Sequence, residues 1–419
     1  MYAADPHLGG GIPCFYHLSH WSFGGNHHEG GMVPGYPMPS HAYYNGVAIG
    51  VTSIQTDVAD LFREKIVGDS YEYDGKLLPL KKRTEVLRIK DGKGYKGHTV
   101  EFKSTHHGPI IKDPFGVLAV AFPRFSRNVI KTEDLALSWT GLFAEKSPYF
   151  LDLKQNGTSV PDFMQAYHSF GGPKLNLVMA DLHGNIGYSS FGVFPNRRSG
   201  KSAPYIQDGS TKASDWIGTV PYESHPKILN PKKGYIVSAN NRVSSEHVKY
   251  PVTTELPSPP RAERIDQLIR EVLFEEKRKM TMEDMVRIQL DVVDIIAHDA
   301  IGFVRSIVDE HADEVLGAGG LLHRKGELQE LIRMFDGWQG SFDKESVPAT
   351  IYATWEMMML ESFLKDQIPD RLTRLHQFNS FISDSLVRDV VERVAVQPSF
   401  MSHLCASNVT VAGEIVLQR

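Results

Sequence analysis

Two adjacent amides, Asn240 and Asn241, close the run Gly234-Tyr-Ile-Val-Ser-Ala-Asn-Asn-Arg-Val243. Tyr235, Ile236 and Val237 have strand composition, and an apolar strand gives no packing reason for two amides at its end. A side-chain amide there can aim its NH2 at a carbonyl oxygen that is gaining charge, which is the task of an oxyanion hole. The same pair also suits a turn, since Asn tolerates left-handed backbone. Asp57 and Asp60 are open in a similar way. At the start of Asp57-Val-Ala-Asp-Leu-Phe-Arg-Glu-Lys65 they fit the N-terminal turn of a short helix, where carboxylates are favoured. They also fit two oxygens of a Ca2+ site, which takes about six to eight and so needs further ligands from elsewhere. His17, His20, His27 and His28 offer the commonest transition-metal ligand. Their spacing matches no helix face and no carboxylate pattern accompanies it, which favours a His-rich loop lining a pocket.

The chain that must position these groups has 419 residues, 41% hydrophobic and 23% charged, enough to bury a large core in two or three ordinary domains or one layered domain. A net charge of -5 without a Lys/Arg tract argues against nucleic acid as the partner. No apolar run is long enough to span a membrane. Cys14 and Cys405 make neither a disulfide framework nor zinc spacing, and Asn156 and Asn408 head Asn-x-Thr sequons. Met1-Tyr-Ala-Ala is too short for a signal peptide and runs straight into Asp5-Pro-His-Leu8, which reads as a strand end and a turn. The chain is therefore expected to begin inside a fold.

Residues 9 to 56 are rich in Gly, Pro, His and Tyr, with turn punctuation at Pro34-Gly-Tyr-Pro-Met-Pro39. Val47 to Val51 reads as a strand and Asp57 to Lys65 as a short helix. From Arg83 to Thr140 the pattern is short strands and turns, including His107-Gly-Pro-Ile-Ile111. Ser159 to Phe170 reads as a helix. Asn176 to Asp181 is a strand, His183-Gly-Asn-Ile-Gly187 a hairpin turn, and Tyr188 to Phe194 the returning strand. Amphipathic helices are expected over 261–270, 281–311, 326–335, 346–366 and 380–397. Strands first and helices later predict sheet layers covered by helices, with residues 1–260 as the sheet-rich part and 261–419 as helical segments packed on it.

In order along the chain stand Asp5-Pro-His-Leu, Pro34-Gly-Tyr-Pro, Gly50-Val-Thr, Asp57-Val-Ala-Asp-Leu, Arg83-Thr-Glu, His107-Gly-Pro-Ile-Ile, Leu137-Ser-Trp-Thr, Asn176 with Asp181-Leu-His-Gly-Asn-Ile-Gly-Tyr, Asn230-Pro-Lys-Lys-Gly-Tyr, Ala239-Asn-Asn, Arg261-Ala-Glu-Arg-Ile, Gln289-Leu-Asp291 and Phe335-Asp-Gly-Trp. Together they resemble the catalytic beta chain of the penicillin acylase (penicillin amidase) family of N-terminal nucleophile hydrolases. The resemblance implies an α+β fold with a four-layer αββα core, here truncated at both ends. It implies a zymogen matured by autocleavage, in which an N-terminal Ser attacks a linear amide. The free α-amine of that Ser, with a pKa near about 8, serves as base, and water then releases the acid from an acyl-enzyme.

By the same resemblance Asn240 matches the oxyanion-hole amide, with Asn241 the alternative if the register slips. Ser53 matches the residue whose backbone N–H is the second donor. His7 matches a position just past the nucleophile hairpin, and Arg264 an arginine near the active site. Asp57, Asp60 and the carbonyls of Ala59 and Pro195 match ligands of a structural Ca2+. Where the family adds a further acid, this chain has Tyr250-Pro-Val, with Glu246 and Glu255 only nearby, and Ser40-His41-Ala42 replaces the usual Gly-His-Asn. No organic cofactor is implied. The nucleophile of the family lies upstream of the Asp-Pro-His stretch, so the chain as given is expected to lack it and the alpha-chain segment of its precursor. The implied substrates are N-acyl compounds such as beta-lactams or N-acyl homoserine lactones, linked to antibiotic biosynthesis, in an extracytoplasmic or secreted setting. A catalytically inactive relative that binds acyl compounds or a partner is the alternative, and a His-dependent metallohydrolase a third reading.

Overall fold

A computed structural model describes residues 1–8, 11–35, 39–54, 56–111, 135–143, 157–169, 171, 174–200, 206–245, 249–250, 260–318 and 322–365. The expected helix over 380–397, Cys405, both sequons, Glu246 and Glu255 lie outside these residues.

The largest sheet is antiparallel throughout and has seven strands. Their order is β1 (His17–Phe23), β2 (Asn26–Met32), β3 (Pro39–Tyr44), β4 (Val47–Ser53), β13 (Leu175–Asp181), β14 (Ile186–Phe191) and β18 (Lys227–Leu229). The expected His-rich loop is thus corrected to a pair of strands. Gly24-Gly25 turns β1 into β2 at φ 54° and 80°, and Asn45-Gly46 turns β3 into β4 at 47° and 93°. Both dipeptides supply the positive φ that a two-residue hairpin demands. Helix α1 (Val160–Ala166) packs on this sheet, started by a capping box between Ser159 and Asp162. Val160, Phe163, Tyr44, Val47, Ile49, Leu177 and Met179 form the shared core. A Cβ at Gly187 would lie 2.4 Å from Val160, so the glycine is what lets the helix seat there.

A second sheet runs β11 (Ile110–Ile111), β12 (Leu135–Trp139), β5 (Ala59–Arg63) and β16 (Gln207–Asp208), with only β5 and β16 parallel. The expected helix over 57–65 is therefore corrected to a strand. Its Ala, Leu, Arg, Glu and Lys favour a helix locally, but pairing with β12 puts Asp60 and Phe62 together on the buried face. Tertiary burial overrides that propensity. Shorter ladders join β6 (Ile66–Val67), β7 (Ser70–Tyr73) and β8 (Lys76–Pro79), and β15 (Pro195–Arg197) with β17 (Trp216–Thr219). The long hairpin of β9 (Lys81–Asp91) and β10 (Gly94–Ser104) is exposed over most of its length. The expected strand at Tyr235–Val237 carries no ladder.

The second half holds α2 (Pro260–Arg270), which continues into a π turn at 271–275, then α3 (Met282–Gln289), α4 (Ile295–Ala318), α5 (Lys325–Arg333) and α6 (Val347–Lys365). The single helix expected over 281–311 is two. Asp294 Oδ1 accepts from the N–H groups of Ile296 and Ala297 at 2.9 and 3.2 Å, capping a new start and breaking the run. Ile296, Ala297, Ala300, Ile301, Phe335 and Tyr352 close a separate helical core. Gln289 Nε2 donates to the Ala4 carbonyl at 3.0 Å and the Tyr235 hydroxyl to Asp266 at 2.7 Å, tying helices to the sheet-bearing half. No helix of the described residues is long and apolar enough to cross a membrane.

Candidate active site

The end of β4 and the turn before α2 meet side by side. Asn240 sits at φ 66°, in the left-handed region that Asn reaches more readily than most residues. Its Nδ2 donates to the Ser53 carbonyl at 2.9 Å, and its Oδ1 accepts from Arg261 Nη2 at 2.8 Å. Arg261 also reaches the Ala239 carbonyl at 3.3 Å. Both amides belong to the turn, and their side chains are used differently. Asn241 Oδ1 accepts from the Ala239 N–H at 3.1 Å and closes the turn, while Asn240 presents its amide group.

A buried hydrogen-bond chain supports this arrangement from below. Thr52 and Ser238 share a hydroxyl contact at 2.7 Å, which joins the last residues of β4 to the turn. Asn176 on β13 is fully buried and donates through Nδ2 to Thr52 Oγ1 at 2.9 Å and to the Ser53 carbonyl at 3.3 Å. Its Oδ1 accepts from the Tyr188 hydroxyl at 2.6 Å, and burial holds that phenol well above its ordinary pKa, as a neutral donor. Arg261 on one side and Ser53 on the other fix which end of the Asn240 amide carries the nitrogen. An amide nitrogen has two N–H groups, so one remains for a substrate oxygen. A donor held in this way loses no orientation when charge develops on its partner.

The other anticipated residues lie elsewhere. Arg264 makes a two-pronged ion pair with Asp291, 2.8 Å from Nε and 2.7 Å from Nη2, and adds Gln267 at 3.1 Å. It joins α2 to the segment between α3 and α4, and Arg261, one helical turn earlier in the same run, is the arginine on Asn240. His7 is exposed and lies 3.6 Å from its neighbour Asp5. Asn241, Val237 and Ala262 line a cavity of about 670 Å3. Tyr2, His20, Glu29, His41 and Gln289 line another of about 750 Å3, and His7 lines neither. Burial lowers the His41 pKa, offset in part by its bond to the Val51 backbone.

Asp57 and Asp60 come together around a cation that the chain supplies itself, while Ala59 and Pro195 are neighbours in sequence on the strands that carry Asp60 and that cation. Arg197, on β15 beside Pro195, donates from Nε to Asp60 Oδ2 at 2.8 Å and from Nη2 to Asp60 Oδ1 at 3.0 Å. The same Nη2 reaches the Asp57 carbonyl and Asp57 Oδ2, both at 3.1 Å. Trp216 Nε1 adds another bond to Asp60, whose side chain is fully buried. Four lone-pair sites of two carboxylates are thus taken by fixed donors, and a Ca2+ would have to displace a buried guanidinium. The residues present do not fit the ion.

The Penicillin amidase family matches residues 1–416. The chain is 29% identical over 360 residues to "Penicillin acylase 2 proenzyme" of Pseudomonas sp. (strain SE83), covering 84% of this chain and 41% of that protein. It is 28% identical over 251 residues to "Penicillin G acylase" of Escherichia coli, 58% of this chain and 27% of that one. It is 29% identical over 242 residues to "Acyl-homoserine lactone acylase QuiP" of Pseudomonas fluorescens, 56% of this chain and 28% of that one. The chain therefore spans less than half the length of these curated relatives. Its fold superposes on the thermostable penicillin G acylase from Alcaligenes faecalis with a TM-score of 0.64 and 17% identity, covering 86% of this chain and 61% of that one.

Proposed function

The chain belongs to the penicillin amidase family, and from that premise we propose that it carries the oxyanion-binding side of an amidohydrolase that cleaves the linear amide of an N-acyl compound. The observation that carries the reading is the Asn240 amide, clamped between the Ser53 carbonyl and Arg261 with one N–H left over. In the proposed reaction an N-terminal Ser of the mature enzyme, outside the described groups, attacks the substrate carbonyl. Its α-amine takes the hydroxyl proton. The oxygen of the tetrahedral intermediate is held by Asn240 Nδ2 and by the Ser53 backbone N–H. Collapse expels the amine, which takes that proton from the α-ammonium group, and water then attacks the acyl-enzyme to release the acid and restore the Ser hydroxyl. Names of the relatives favour acyl groups on penicillins or homoserine lactones as substrates, and an extracytoplasmic setting is proposed with them. One methylene in an apolar acyl pocket changes preference by only about 1–3 kcal/mol, so the acyl group itself is left to assay.

The test uses the enzyme made from its complete reading frame with phenylacetyl and fatty-acyl chromogenic amides. Asn240→Ala is expected to lower kcat by about 10²- to 10³-fold with KM little changed, the cost of one oxyanion donor. A variant within threefold of wild type sinks the role of Asn240. Absence of any amide hydrolysis by the wild-type enzyme overturns the reading in favour of acyl binding without turnover.

A further inference from the structure

The motif His107-Gly-Pro-Ile-Ile111 takes no part in the site above, yet it sits in the most charged buried spot of the second sheet. The turn from Thr105 to Gly108 joins β10 to β11 and is closed by the Thr105 N–H on the Gly108 carbonyl at 3.0 Å. Gly108 has φ 143°, and a Cβ there would stand 2.0 Å from the Leu137 carbonyl oxygen, so the turn lies flat against β12. His107 is stacked on Phe62 of β5 with ring centroids 3.8 Å apart and planes 6° from parallel, which fixes its ring. Its Nδ1 lies 2.9 Å from Glu64 Oε1, a carboxylate with no solvent exposure, and its Nε2 lies 3.2 Å from Asp215 Oδ1. His106 points the same way, with Nδ1 on the Tyr71 hydroxyl at 3.1 Å and Nε2 at 3.9 Å from the same Asp215 Oδ1.

Two carboxylates face this imidazole pair, and among the described residues no Lys or Arg pairs with either of them. Both nitrogens of His107 thus meet carboxylate oxygens, and His106 turns its own Nε2 toward the same Asp215 oxygen from beyond hydrogen-bonding distance.

We propose that His106 Nε2, His107 Nε2 and Asp215 Oδ1 form a transition-metal site that takes Zn2+. The three ligand atoms lie within 4.8 Å of one another. Bond lengths of about 2.0–2.2 Å place tetrahedral ligands roughly 3.3–3.6 Å apart, so a small turn of the His106 ring brings it in. Two nitrogens and one oxygen suit zinc, and a water completes the fourth position on the side where His106 is 34% exposed. Glu64 on His107 and Tyr71 on His106 then act as the outer partners that orient metal-bound imidazoles. The bound ion would pin the turn before β11 to the residue preceding β17, with Glu64 at the end of β5 held behind His107.

The chain is stripped of metal, dialysed against Zn2+ with elemental analysis, and examined with Co2+ for the visible absorption of a tetrahedral site. One zinc per chain is expected. His106→Ala and Asp215→Asn are each expected to weaken it at least tenfold, and Tyr71→Phe by up to about 10- to 100-fold. The exposed group His20, His27 and Glu29 also brings ligand atoms together, so the double change His20→Ala, His27→Ala is the control, and it should leave the zinc in place. Zinc absent from the wild-type chain, retained unweakened in His106→Ala, or lost only with the His20/His27 change overturns the proposal. His106 is partly exposed, so its variant is decisive even if Asp215→Asn fails to fold.

Discussion

Arg261 and Arg264 occupy one turn of one helix and do different work. Arg261 holds the oxygen of Asn240, and Arg264 grips Asp291 with two prongs. Arg261→Met is expected to free the Asn240 amide to rotate, lowering kcat of the full-frame enzyme with little change in its urea midpoint. Arg264→Met should do the reverse, costing about 1.5–3 kcal/mol of stability as a charge-assisted pair is lost, with kcat largely kept. Parallel kinetics and denaturation of both variants check the assignment, and a kcat loss in Arg264→Met alone contradicts it. At this scale the sequence left Asn240 open between a turn and an oxyanion donor, and the resemblance pointed to the second. The resemblance also pointed to Arg264, whereas the arginine that reaches Asn240 is Arg261. The partner that chooses between them comes from a turn more than twenty residues upstream, which local spacing does not reveal.

Strand β5 is where sequence and structure part most clearly at the scale of elements. Asp57-Val-Ala-Asp-Leu-Phe-Arg-Glu-Lys65 has helical composition, and its two acids looked like helix capping or calcium ligands. Only pairing with β12 and the arrival of Arg197 from β15 reveal a strand with an internal ion cluster, and both partners are remote in sequence. Hairpins with local signals were legible: β13 and β14 lie close to where the alternation put them, as do the helices α2, α5 and α6. The guanidinium at Asp57 and Asp60 makes a clear prediction. Arg197→Met should leave two buried carboxylates without their cation and cost about 3–5 kcal/mol in urea denaturation. The wild-type midpoint should stay put when millimolar Ca2+ is added. A Ca2+-dependent wild-type midpoint would show the ion displacing the arginine after all.

For the whole molecule, the histidines set the acid side of stability. Burial, with a smaller contribution from the neighbouring His27, lowers His28 from 6.5 to about 4, and burial also lowers His41 and His225. His28 is fully buried and stacked on Trp21 at 3.8 Å. The unfolded chain takes up these protons near pH 6.5 while the folded chain resists them, so the unfolded state binds more protons across that window. Stability is therefore full above about pH 6.5 and falls as pH drops toward 4. His28 alone contributes on the order of 3 kcal/mol to that fall, at about 1.4 kcal/mol per pH unit. Urea midpoints at pH 7.5 and pH 5 check this, with His28→Phe expected to flatten the slope, and an unchanged slope excludes His28 as its source. His28 gave no hint of burial in the sequence, where a polar, glycine-rich stretch resembled a loop. What places it on a buried strand is two turns and the aromatic residues beside it.

Ser53 and Asn240 are held together by one hydrogen bond across 187 residues of chain. Closing so long a loop is entropically slow compared with zipping the hairpins on either side of it. The proposed oxyanion donor therefore rests on a far longer loop closure than the hairpins around it, so its integrity reports on long-range order in a way that a hairpin ladder does not.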